Sequence, residues 1–289
     1  MRISGYCHNS STGIKLIILL LLILWGALIV AIPMFFVKGS NALLIAMYLQ
    51  NIGMFILPAW IAATLFWGNA GKSLYLNKAP RIIELLGIIA LFIVATPALN
   101  RIVEWNEAMH LPEALYNIEQ WMRQQENAAT KITEQILQVN SFSHFLAVIF
   151  GIGILTGIGE EMIFRGVIFK RYEQGFGFKK AMLMSAMFFA VTHGNLVQIV
   201  YGFVMGLFLA YVYEKYGSLK AAACLHITMN LVSLLVTKAD GFTWMFSGFW
   251  PLCISTVGAA FVSACAFVKI RDINTNETAE GSEGVGTGF

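Results

Sequence analysis

Windows of about 20 mostly apolar residues, the length a helix needs to cross a bilayer, recur along nearly the whole chain. Backbone polar groups in hydrocarbon must be satisfied within such segments, so a polytopic helical bundle follows. Composition agrees. Hydrophobic residues make up 58% of the 289, charged residues 12%, and the mean hydropathy is +0.71, too apolar to cover a globule with a polar surface. The expected fold class is all-α, a membrane bundle of about eight transmembrane helices with the bilayer as its partner. A net charge of +3 with scattered lysines argues against nucleic acid as a partner.

The most economical partition has eight spans: Ile14 to Phe36, Ala42 to Trp67, Ile82 to Val103, Phe142 to Phe169, Lys180 to His193, Asn195 to Tyr213, Leu219 to Val236, and Trp244 to Val268. The first follows Lys15 without a small-residue cleavage site and reads as a retained helix. Most basic residues then fall on one side: Arg2, Lys15, Lys72, Lys78, Arg81, Lys170, Arg171, Lys179, Lys180, Lys215, Lys220, Lys269 and Arg271. Lys38, Arg101, Arg123, Lys131 and Lys238 fall on the other. Cytoplasmic loops hold the excess of Lys and Arg, so both termini are expected to be cytoplasmic.

Residues 1–271 read as a single membrane domain, with an outer loop at 104–141 and a small, polar, acidic tail at 272–289 expected to be disordered and cytoplasmic. Within the loop, Leu115, Ile118, Trp121 and Met122 recur at helical spacing, which predicts an amphipathic helix along the outer interface. Cys7, Cys224, Cys253 and Cys265 form no CxxC pair and read as reduced, packed thiols. Gly153 with Gly157, and Gly202 with Gly206, are small-residue pairs suited to close helix approach inside the bundle.

Against this background the stretch "GIGEEMIFRG" is costly, because an ionisable side chain at the bilayer centre costs about 2.5 to 3.5 kcal/mol on insertion scales. Glu161 and Arg165 stand four apart, acid first, the spacing and order of an intrahelical ion pair. Glu160 points about 100° away, without a local partner. His193 and Asn195 sit at "THGN", and His226 shares a helix face with Asn230. Counting at 1.5 Å per residue puts Glu160 about 15 Å inside Lys170, His193 about 20 Å from Lys180, Asn230 about 15 Å from Lys220, and His226 about 9 Å from it. These depths overlap in the inner half of the membrane, so substrate is expected to arrive from the cytoplasmic side or the inner leaflet. A lone intramembrane His or Asn is more often an interhelical hydrogen-bond partner. A converging Glu, two His and an Asn point instead to a functional site, and from the residues alone both catalysis and proton-coupled transport remain open.

The three motifs Glu160-Glu161-x-x-x-Arg165, Phe189-x-x-x-His193 and His226-x-x-x-Asn230, in order on successive spans, resemble the CPBP family, the CAAX protease and bacteriocin-processing (Abi) intramembrane endopeptidases. The resembling core runs from about 143 to 237. The resemblance implies a four-helix catalytic core within an eight-helix bundle, hydrolysing a peptide bond in a membrane-associated or hydrophobic peptide or protein. It implies that Glu160 activates the attacking water with help from His193, that His226 and Asn230 contact the oxyanion, and that Glu161 with Arg165 braces the helix. It also suggests a multi-pass protein of a bacterial inner or plasma membrane. A non-proteolytic immunity or scaffold protein is the alternative. No cofactor is the favoured expectation. A catalytic zinc held by Glu160, His193 and His226 is the competing one, disfavoured because no HExxH is present and a zinc-bound Glu160 could not also be the free base.

Overall fold

A computed structural model of the chain describes residues 5–37, 41–138, 141–194 and 196–238. The predicted eighth span, Trp244 to Val268, the tail at 272–289, Asn195, Cys253 and Cys265 lie outside the described residues. Among the described residues the architecture is all-helical, with no strand.

Eight long helices follow in order: α1 (Thr12–Met34), α2 (Ala42–Trp67), α3 (Ile82–Glu107), α4 (Tyr116–Leu137), α5 (Phe142–Phe176), α6 (Phe178–Thr192), α7 (Leu196–Tyr216) and α8 (Leu219–Lys238). Four of them, α1, α2, α3 and α5, are long and apolar enough to cross a membrane, and Leu219–Leu235 of α8 is a shorter apolar stretch. The protein is an integral membrane protein on this helix inventory. The count of helices differs in meaning from the eight predicted spans, because α4 falls within the polar 104–141 segment and α6 has only 15 residues.

The helix starts have local causes. Ser11 accepts a hydrogen bond from the Ile14 N–H at 3.3 Å and opens α1. Glu84 reaches back to the Arg81 N–H at 3.0 Å and pairs with the Arg81 guanidinium, which opens α3 and gives Glu84 its partner near the membrane edge. In α2 a π-helical stretch, Asn51–Ile56, runs directly into Pro58, so the donor that proline lacks falls at the junction of two helix types. The apolar flank of α1, including Leu21, Trp25 and Leu28, is exposed, as a lipid-facing helix requires.

Helix α5 is the centre of the assembly. It packs against α2, α6 and α8, and it extends to Phe176, beyond the predicted end at Phe169, because its last turns continue past Lys170 into the polar margin. Among the interhelical approaches close enough to require glycine, two fall in the predicted small-residue pairs. A Cβ on Gly157 would lie 3.2 Å from the Ile227 backbone nitrogen, and one on Gly206 would lie 2.8 Å from the Cα of Ala186. The first draws α8 onto α5, the second draws α7 onto α6, and both contacts lie inside the bundle.

The predicted helix within 104–141 is present, with an exposed apolar side and a buried carboxylate. Helix α4 runs from Tyr116 to Leu137, and its buried side carries Glu119, Met122, Ile136 and Leu137, whereas Ile118 and Trp121 are exposed. The buried carboxylate is satisfied locally. Glu119 accepts hydrogen bonds from Arg123 Nε at 2.9 Å and the Leu111 N–H at 2.8 Å and contacts His110, while Arg123 also donates to the Met109 carbonyl. Satisfying that charge ties α4 to the 109–111 turn and leaves Ile118 and Trp121 facing outward.

These hydrogen bonds, from Arg123 first and then from Leu111, hold the Glu119 carboxyl at about 2, below its ordinary 4.5. A depressed carboxyl stabilises the docked form fully above the ordinary value, and that contribution is lost as pH falls toward and through about 2. Hydrogen-exchange protection at residues 109–123, taken relative to the intrinsic rate at each pH, is therefore expected to fall between about pH 4.5 and 2. Glu119→Gln should remove most of that pH dependence; an unchanged profile in the variant would disprove the link.

Candidate active site

The site is assembled from α5, α6 and α8. On α5, π-helical stretches at Ile149–Leu155 and Met162–Phe169 flank a short α-helical segment, Thr156–Glu161, that carries both glutamates. A π-helical turn displaces carbonyls from the ordinary ladder, and such turns recur at functional sites. Here side chains from other helices meet those carbonyls. Asn230 Nδ2 donates to Ile152 O at 3.1 Å and to Gly153 O at 3.4 Å, and Ser185 Oγ donates to Phe164 O at 2.9 Å. Thr156 Oγ1 donates to Gly151 O at 3.1 Å and accepts from Asn51 of α2.

Arg165 and Glu161 are fully buried, with Arg165 Nη1 2.6 Å from Glu161 Oε1. Arg165 Nη2 donates to Gly206 O on α7 at 3.1 Å, and its guanidinium lies 4.6 Å from the Phe189 ring centroid. Phe189 in turn meets His193 edge-on at 4.8 Å and His226 at 5.7 Å. One ring therefore contacts the cation and both histidines. From the sequence, Phe189 has no role beyond its place in a motif.

Glu160 is partly exposed, and its Oε2 stands 3.7 Å from His226 Nε2. His226 Nδ1 is bonded to Glu161 Oε1 at 2.8 Å, so the histidine bridges the two glutamates. His193, at the C-terminus of α6, has its Nδ1 2.7 Å from the Phe189 carbonyl. A carbonyl only accepts, so that Nδ1 carries the hydrogen and Nε2 is left as the acceptor. Two cavities meet at His193. One of about 210 Å³ is lined by Glu160, Thr156, Phe164 and Thr192. The other, of about 360 Å³, is lined by His226, Asn230, Phe189, Tyr201 and residues of α3. Its wall also includes Asn100, Val103 and Gln198, which sit at helix ends away from the lysine-rich ones used for the depth count.

Glu160, Glu161, Arg165, His193, His226 and Asn230 thus converge. Asn230 reaches the larger cavity, but its amide hydrogens are directed at the α5 backbone. The cross-helix bond from His226 to Glu161 and the support from Asn51, Thr156 and Ser185 were not read from the sequence. Asn51 carried the available signal, as a polar side chain in a long apolar span.

The zinc set was tested against this geometry. Among the described residues no three His, Cys, Asp or Glu side chains form a group able to hold a metal ion. Glu160, His193 and His226 are not gathered into one ligand set among the described residues.

Residues 142–232 match the family described as Type II CAAX prenyl endopeptidase Rce1-like. That segment is similar to the CAAX/CPBP proteases. The match spans α5 through most of α8, so all three CAAX-protease motifs fall inside it, while the helices before Phe142 lie outside. No curated protein matches the chain, and no solved structure does. At the family level the CAAX-protease match identifies a peptidase.

Proposed function

We propose that the protein is an intramembrane endopeptidase that hydrolyses a peptide bond in a membrane-associated or hydrophobic peptide. The observation that carries this reading is the single small cavity faced by both Glu160 and His193, with His226 3.7 Å from the same carboxylate. Glu160 serves as general base toward a water in that cavity, and the acceptor Nε2 of His193 orients the water. His226 and Asn230 line the adjoining wall, on the side of the carbonyl oxygen that gains charge. For Asn230 this requires its amide to share a hydrogen now directed at Ile152 or Gly153. The multi-pass arrangement is read with cytoplasmic termini, on the lysine and arginine bias.

The purified, detergent-solubilised protein, incubated with candidate membrane peptides and read by mass spectrometry, should yield a discrete cleavage product. Peptides that bind without being cut would favour an immunity or scaffold protein instead. Chelator treatment of the active preparation is expected to leave the rate unchanged. Stoichiometric zinc whose removal abolishes cleavage, and whose return restores it, would overturn the metal-free mechanism.

A further inference from the structure

We infer that Glu161 is a positioning residue, which fixes the tautomer of His226 and does more than brace α5. The derivation turns on one oxygen. Glu161 Oε1 is 2.6 Å from Arg165 Nη1 and 2.8 Å from His226 Nδ1. A guanidinium has only donors, so the atom it holds must be an acceptor. The same oxygen therefore presents an acceptor to His226, and Nδ1 must carry a hydrogen. Arg165 cannot release the carboxylate readily, because it is itself fixed by Gly206 O and by the Phe189 ring. Burial reinforces the lock. Glu161 and Arg165 are at 0% exposure and the His226 side chain at 5%, so water does not compete for these bonds.

A His226 ring with its hydrogen on Nδ1 has only a lone pair on Nε2, the atom facing Glu160 Oε2 at 3.7 Å. That separation is outside direct hydrogen-bond range and is of the kind that tightens when substrate binds. His226 then cannot donate to a substrate oxygen from the outset. It first has to take up a proton, and Glu160 is the neighbour that supplies one. As Glu160 removes a proton from water, the water oxygen bonds to the scissile carbon and the carbonyl π pair moves onto oxygen. The proton passes from Glu160 Oε2 to His226 Nε2, which then donates to the charged oxygen and delivers the proton to the leaving nitrogen as the C–N bond breaks. The products are one carboxylic acid and one amine, with no proton left over. Glu161 touches no reacting atom and acts only through the ring it holds.

What the fixed ring does rests on the protease reading; the tautomer itself does not. The test is ¹⁵N NMR of full-length protein with ¹⁵N-labelled histidine in lipid nanodiscs, recorded on the neutral ring and assigned with His226→Gln. Wild type and Glu161→Gln, which keeps the acceptor oxygen, should both show a protonated Nδ1 and an unprotonated Nε2. Glu161→Ala should shift His226 toward the opposite tautomer and lower kcat by about 10- to 100-fold with KM unchanged, the scale seen when the orienting partner of a functional histidine is removed. Glu161→Gln should recover most of that loss. A wild-type ring protonated on Nε2 would overturn the inference even if peptides are cleaved, and it needs no variant to fold. A ring protonated on Nδ1 in a protein that cleaves nothing would sustain the inference and defeat the protease reading alone.

Discussion

Glu160→Ala is expected to lower the cleavage rate by about 10²- to 10⁴-fold, the usual contribution of a general base, with the thermal midpoint almost unmoved. The two halves of that expectation have separate physical sources. The carboxylate faces a cavity and is 14% exposed, so truncating it removes no buried ion pair and leaves no stranded cation. The fold therefore has little to lose. The reaction has much more, because water is a poor nucleophile until a positioned group takes its proton. Glu160→Gln sharpens the result, since it keeps the volume and one oxygen while removing the base. Initial rates and melting curves in the same detergent would measure both quantities. Near-normal turnover in either variant would mean that another group activates the water.

The sequence made the helical class legible for a simple reason: in hydrocarbon, hydropathy and backbone satisfaction act over the same 20-residue length. The limits of individual helices were less legible. The end of α5 depends on how far regular turns continue into a polar margin, and neither Lys170 nor Arg171 contains a stop signal. The burial of Glu119 on α4 was not legible, because its partners in the 109–111 turn lie outside the helix whose spacing is read.

At the site, helical spacing reports only neighbours on the same helix. It places Glu161 over Arg165 but is silent about His226, 65 residues further on. Likewise His226 and Asn230 share a face by spacing, yet the structure engages their side chains differently, one with a carboxylate and the other with carbonyls of a π-helical turn. A π-helical turn leaves no one-dimensional signature. The donors that meet its displaced carbonyls therefore could not be foreseen.

Arg165→Met is expected to destabilise the protein by about 3 to 5 kcal/mol, the cost of removing one member of a buried ion pair. The loss is large because Glu161, at 0% exposure, would keep a charge with no cation beside it. Glu161→Leu should cost a similar amount by stranding Arg165. The double variant, Glu161→Leu with Arg165→Met, is expected to be far less than additive, because two apolar side chains of similar volume replace the pair and no buried charge remains. Methionine can also refill the space against Phe189, where the guanidinium now lies 4.6 Å from the ring. Unfolding measurements on the four proteins give the coupling directly, and additive losses would show that the pair is not the unit of stability. Cleavage should behave differently from stability in the same set. Restoring the core does not restore an acceptor for His226 Nδ1, so the double variant should fold and still cleave slowly. A double variant that regained both stability and rate would show that Glu161 supports the helix alone and has no hold on the histidine.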